Sequence, residues 1–120
     1  MKNVNDLSHG VCVPCEQGGT PMEASQISKY APQVPQWEVI DQKENIAKLM
    51  RKFKFRNFAQ AISFADKVGA LAEKNGHHPK LVVEWGRVTV YWWTHAVGGL
   101  HRNDFIMAAK TDEIYNNSSN

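Results

Sequence analysis

Residues 73–95 read EKNGHHPKLVVEWGRVTVYWWTH, and this stretch decides the fold. Residues 80–85 (KLVVEW) and 87–95 (RVTVYWWTH) are β-branched and aromatic runs joined at Gly86, the pattern of a tight antiparallel hairpin. Gly76 and Pro79 just before it are the punctuation that ends a helix. His77 and His78 therefore stand between a helix end and a strand start. His95 closes the second strand, on the face of Tyr91 and Trp93 for a regular pleat. Adjacent Trp92 and Trp93 split their side chains across the two faces, so at least one belongs to the core.

Working outward, Asn57 is an N-cap with Gln60 three residues on. Phe58, Ala61, Ile62, Ala65, Val68 and Ala72 follow helical spacing to about residue 74. Upstream, Ala47, Leu49, Phe53 and Phe55 alternate with Lys48, Lys52, Lys54 and Arg56, the period of a half-buried strand. Met50 and Arg51 interrupt that alternation and leave the local register open. WEVI from Trp37 reads as a further strand before a turn around DQKEN. Residues 23–30 form a short helix ended by Pro32 and Pro35. A last helix over residues 100–115 turns Leu100, Phe105, Ala108, Ala109 and Ile114 toward the core. The order α-β-β-α-β-β-α predicts an α+β fold, a four-stranded antiparallel sheet with helices packed on one face. Free sheet edges favour pairing with a second copy.

A chain of 120 residues with 42% apolar and 22% charged residues makes one soluble domain, expected over residues 21–116. Residues 1–20 read as a flexible leader and 117–120 as a disordered tail. No apolar run approaches the roughly 20 residues a membrane span needs, and MKNVNDLSHG lacks a signal-peptide core, so a cytoplasmic protein is expected. A net charge of +2 gives no argument for direct nucleic-acid binding, and KLMRKFKFR reads as the wet face of a strand. Cys12 and Cys15, the only cysteines, form one CVPC pair without a second pair to complete a zinc site. The Gly- and Pro-containing stretch after them is loop chemistry rather than the helix of a redox motif. A minor role in the leader is the plain reading; a metal or redox role is the alternative.

His77 and His78 follow the negative end of a helix dipole, which favours imidazolium. Asp104 falls in the first turn of the last helix, where an acidic residue also serves simply to complement the dipole. Glu73 reads equally as a solvated helix residue, and His9 and His101 as surface polar residues. Spacing alone leaves acid–base and metal chemistry open, because His77, His78 and His95 suit either.

The run E-x3-H-H-P-x5-W-x9-H-x8-D, carried by Glu73, His77, His78, Pro79, Trp85, His95 and Asp104, resembles the signature of the pterin-4a-carbinolamine dehydratases, also called 4a-hydroxytetrahydrobiopterin dehydratases. The long helix and the hairpin with the last helix are similar to that family's over residues 20–115, and the CVPC leader resembles bacterial members. The resemblance implies a metal-free hydro-lyase without a cofactor of its own. Its substrate would be the 4a-hydroxytetrahydropterin released by aromatic amino acid hydroxylases, and its products quinonoid dihydropterin and water. It implies His77 and His95 as acid and base, in either order, with His78 binding and orienting the ring. It implies substrate contacts at His77, His78, Pro79, Thr94, His95, Ala96 and Val97, with backbone groups of residues 94–97 on the pterin amide edge. Glu73, Trp85 and Asp104 would support the site. The family also implies a homodimer or homotetramer. In some relatives it implies a second role, as a dimerisation cofactor or coactivator of transcription.

Overall fold

The computed structural model describes residues 7–12, 20–41 and 46–118. The elements are α1 (Ala24–Tyr30), β1 (Glu38–Asp41), β2 (Ala47–Lys54), α2 (Phe58–Asn75), β3 (Lys80–Glu84), β4 (Arg87–Trp92) and α3 (Arg102–Ser118), with 3-10 turns at Leu7–His9 and Ala31–Gln33. All strand pairs are antiparallel, in the order β1-β2-β4-β3. The fold is the α+β sheet with helices on one face that the sequence predicts.

Register explains why the helices take one face. Leu49 lies opposite Trp92, Arg51 opposite Val90 and Phe53 opposite Val88. These residues point at α2 and α3, where Ala61, Phe64, Val68, Ala72, Phe105, Ile106, Met107 and Ala108 are buried against them. Phe53 contacts the rings of Trp37, Phe64 and Tyr115 at centroid distances of 5.8, 4.8 and 4.9 Å, so aromatic packing centres this core. Two expected core residues of α2, Phe58 and Ile62, are exposed instead, and Phe64 takes the inward position. The helix carries a second apolar stripe, and only one stripe can face a single sheet.

Arg51 does not interrupt β2. It occupies a helix-facing position, where its guanidinium donates to Asp112 Oδ1 at 2.6 Å and lies over the Phe53 ring. Trp37 Nε1 donates to the same oxygen at 2.8 Å. Burial pushes the Asp112 carboxyl above its ordinary range, against the lowering by Trp37 and Arg51.

Boundaries at both ends of the chain differ from expectation. Part of the leader is docked: Leu7 is in the core, Lys110 Nζ donates to the Ser8 carbonyl at 2.9 Å, and a Cβ on Gly10 would meet Ile106 Cγ1 at 2.9 Å. An apolar residue with a close-packing glycine nearby tied the segment to α3, although its composition reads as loop. Cys12 packs half-buried against that core, while Cys15 lies outside the described residues. At the other end α3 runs through Asn117 and Ser118, since no glycine or proline stops it after Tyr115; residues 119–120 lie outside the described residues. Leu100 is buried but precedes α3. No helix among the described residues is long and apolar enough to cross a membrane.

Candidate active site

The end of α2 sets the position of the first two histidines. Asn57 caps its start by accepting from Gln60 N at 2.8 Å. Gln60 Oε1 accepts from Arg56 N, one residue before the cap, so the reciprocal half of a capping box is displaced by one. At the other end Gly76 is left-handed, with φ 63°, and donates to Glu73 O; His77 N donates to Ala72 O at 3.2 Å. This is the bond pattern of a Schellman stop, and it places His77 at the first residue beyond the turn.

His77 meets the start of α3. Its Nε2 lies 2.7 Å from Asp104 Oδ1, with side-chain exposures of 12% and 0%. Asp104 Oδ2 accepts from Thr94 Oγ1 at 2.8 Å and from His101 N at 2.9 Å. With two donors already on the carboxylate, we assign the His77 proton to Nε2, which leaves Nδ1 as the nitrogen outside the bond. The His77 ring stacks on Trp92, centroids 5.7 Å apart and planes 9° apart. Trp92 is in turn held through Nε1 donating to Thr111 Oγ1 at 3.2 Å.

His101 is not a free surface residue. Its Nδ1 accepts from Asn103 N at 3.0 Å and its own amide donates to Asp104, so it caps α3 reciprocally with the aspartate. Asp104 thus ties the helix start, the segment after α2 and the segment after β4 to one buried carboxylate.

His78 faces the opposite way. Its Nε2 lies 2.7 Å from Glu73 Oε2, but the side chains are 60% and 79% exposed. Pro79 beside it is half-buried.

His95 does not end a strand. β4 stops at Trp92, and Thr94 pairs with Gly99 across a tight turn that contains His95. Gly98 in that turn has φ 68°, which the turn requires, and a Cβ on Gly99 would lie 2.7 Å from Pro21 Cβ, so Gly99 allows Pro21 to pack against the turn. The Thr94 amide donates to Gly99 O, and its carbonyl accepts from the Val97, Gly98 and Gly99 amides. Turn closure thus already uses both backbone groups of Thr94. Among the described residues no hydrogen bond engages the Ala96 amide or carbonyl, or the Val97 carbonyl. The exposed His95 ring rests on Trp93, centroids 4.8 Å apart, and Lys48 Nζ sits 4.1 Å from the Trp93 centroid.

Of the sequence-derived site residues, Glu73, His77, His78, Pro79, Thr94, His95, Ala96, Val97 and Asp104 lie around this end of the hairpin. Trp85 does not: it is 70% exposed in the β3–β4 turn, about 16 Å away along the strand at ~3.3 Å per residue. Strand direction separates it from the histidines, which spacing in the chain conceals. Lys48, Trp92 and Trp93 join the site without having been marked for it by the sequence motif. The Trp-Trp pair beside Thr94 was a visible signal, whereas Lys48 joins it only through the β2–β4 register. No group of three or more His, Cys, Asp or Glu residues suited to a metal occurs among the described residues.

The model of the family described as pterin 4 alpha carbinolamine dehydratase matches residues 20–114. The chain is 53% identical to a protein of Chlorobium limicola over 93% of this chain and 98% of the relative, and 49% identical to one of Microcystis aeruginosa over 93% and 96%. Both are provisionally named pterin-4-alpha-carbinolamine dehydratase. Among solved structures, a transcriptional coactivator/pterin dehydratase from Brucella melitensis superposes with a TM-score of 0.72 at 29% identity, covering 80% of this chain and 99% of its own. A pterin dehydratase-like RuBisCO assembly factor of the alpha-carboxysome shares the fold, with a TM-score of 0.56 at 22% identity over 67% of this chain and 89% of its own.

Proposed function

Because the chain belongs to the pterin-4a-carbinolamine dehydratase family, we propose that it removes water from 4a-hydroxytetrahydrobiopterin to give quinonoid dihydrobiopterin. The observation that carries this reading is the Asp104 carboxylate. It holds the His77 imidazole directly and holds the hydroxyl of Thr94, the residue before His95, so one imidazole and the turn that carries the other are tied to one end of the sheet.

The reaction breaks the C4a–O bond and forms a C=N bond to the adjacent ring nitrogen. Hydroxide is a poor leaving group, so an acid protonates the departing oxygen while a base removes the proton on that nitrogen. One proton is taken and one given, and no oxidant or metal is consumed. Imidazoles exchange protons near neutral pH, which lets one residue act as acid and another as base under the same conditions. In this reading His77 and His95 carry the protons. Asp104 orients His77 and stabilises its charged form, His78 binds and orients the ring, and the unengaged backbone of Ala96 and Val97 meets the amide edge of the pterin. The pterin is the substrate, and no resident cofactor is required.

The protein then serves a cytoplasmic aromatic amino acid hydroxylase by recycling its spent pterin, and works as a homodimer or homotetramer, for which sedimentation at micromolar concentration should give more than the 13.6 kDa species. The second reading is an interaction module, since the Brucella relative is named both as a transcriptional coactivator and as a pterin dehydratase. A stopped-flow comparison separates the two. The protein should accelerate the decay of 4a-hydroxytetrahydrobiopterin, and His77→Ala and His95→Ala should each lose that acceleration. Wild-type acceleration in both folded variants would move the proton transfers to other groups, and no acceleration by the wild-type protein would leave the interaction module as the better account.

A further inference from the structure

His77 and His78 each have a carboxylate oxygen 2.7 Å from Nε2. His95 has none among the described residues: no ion pair or hydrogen bond engages its ring. Its backbone is held, because the turn closes through Thr94 and Gly99 and its carbonyl accepts from Gly98 N at 3.2 Å. The torsions of the side chain are not held by any polar partner among the described residues. What the ring does touch is Trp93, at 4.8 Å between centroids with planes tilted by 53°.

That indole is itself fixed. Leu49 pairs with Trp92, so the next cross-strand position brings Lys48 beside Trp93 on the sheet face away from the helices. Lys48 Nζ lies 4.1 Å from the ring centroid, where the ring quadrupole attracts the ammonium. The Trp93 ring is half-buried while the imidazole beyond it is exposed. The two adjacent tryptophans thus each carry one histidine, Trp92 under His77 and Trp93 beside His95, on opposite sides of the strand end.

We propose that Trp93, steadied by Lys48, is the positioning residue for His95, in the place that the Asp104 carboxylate takes for His77. The inference rests on the reading that His95 acts in the dehydration. A ring oriented in advance acts on bound substrate, so its loss belongs in kcat rather than KM.

The test uses full-length Trp93→Leu, Trp93→Phe, Lys48→Met and Lys48→Arg with 4a-hydroxytetrahydrobiopterin. It also uses the His95 ring-proton resonances, assigned by their absence in His95→Ala. Trp93→Leu should lower kcat about tenfold with KM changed less than about twofold, since a misplaced catalytic group slows the step without weakening binding. Trp93→Phe keeps an aromatic surface and should recover at least half of the lost rate. Lys48→Met should lower kcat about threefold, and Lys48→Arg should restore it, because a guanidinium also sits over an indole. The His95 resonances should move in Trp93→Leu while those of His77, over Trp92, stay in place. Wild-type kcat in folded Trp93→Leu overturns the inference. If that variant does not fold, equal kcat in wild type, Lys48→Met and Lys48→Arg overturns it. Wild-type turnover in His95→Ala breaks the reading of the reaction instead; the resonances then decide alone, and unmoved His95 signals in Trp93→Leu overturn the positioning role.

Discussion

His77 and His78 are neighbours in the chain, and each has a carboxylate oxygen 2.7 Å from its Nε2, but the two pairs sit in different surroundings. Asp104 is fully buried and accepts from three donors, His77, Thr94 and the His101 amide. Glu73 is 79% exposed and its partner 60% exposed, so water and salt compete for both charges. Equal distances therefore carry unequal energies. A buried carboxylate stripped of its donors is costly, and donors stripped of it are left unsatisfied, whereas an exposed ion pair is worth close to nothing. The buried pair builds the end of the sheet; the exposed pair leaves its histidine able to turn toward a ligand.

Asp104→Ala is the strongest way to break this contrast. It leaves the Thr94 hydroxyl, the His101 amide and His77 without their acceptor, and should cost about 3 to 5 kcal/mol in urea denaturation. A loss below about 1 kcal/mol would mean that water replaces the carboxylate and that the two pairs are alike. Next in size, His95→Ala should lower turnover by about 10²-fold, equivalent to about 2.7 kcal/mol of activation free energy, while unfolding stays within about 0.5 kcal/mol of wild type. His95 is exposed and outside the Asp104 network, so a parallel loss of stability would contradict that separation.

Asp112 sharpens the comparison, being a half-buried carboxylate on the same helix whose Oδ1 accepts from Trp37 and Arg51. Burial raises its folded value above the unfolded one, so the folded protein holds this proton more tightly. The associated stability is present below the unfolded value and is lost as pH rises through the folded value. Asp112→Asn removes this dependence, so its stability relative to wild type should increase as pH is raised through the acidic range; a decrease measured by thermal unfolding would reverse the assigned cause. Glu73→Gln should be nearly silent, changing stability by less than about 0.5 kcal/mol, and what change there is should vanish in high salt. The smallest expected effect is none at all. If the histidines of both regions carry protons rather than a metal, dialysis against a strong chelator leaves the dehydration rate unchanged, and a loss restored by zinc or iron would contradict the proton roles.

Local rules made much of the molecule legible in the sequence. The β-branched and aromatic runs within residues 80–92, the tight connection at Gly86, the Asn57 cap and the Gly76 stop each depend on contacts within a few residues, and each is found in the structure, although Trp85 joins Gly86 in the turn instead of ending the strand. The spacing of Glu73, His77, His78, His95 and Asp104 marked the candidate site for a similar reason, because a helix end, a hairpin and a helix start return the chain to one place. The sequence by itself therefore determined the element order, the face that meets the helices and the family. The tertiary structure alone decided that Arg51 is a core-facing partner of Asp112, 61 residues away, and that Leu7 docks on α3. It also decided that Trp85 lies far from the histidines, and that Trp92 stacks on His77 while Trp93 packs against His95. Those facts depend on strand register and on which of two apolar stripes turns inward. Both are settled by the packing of distant segments against one another, a quantity that no local window of sequence contains.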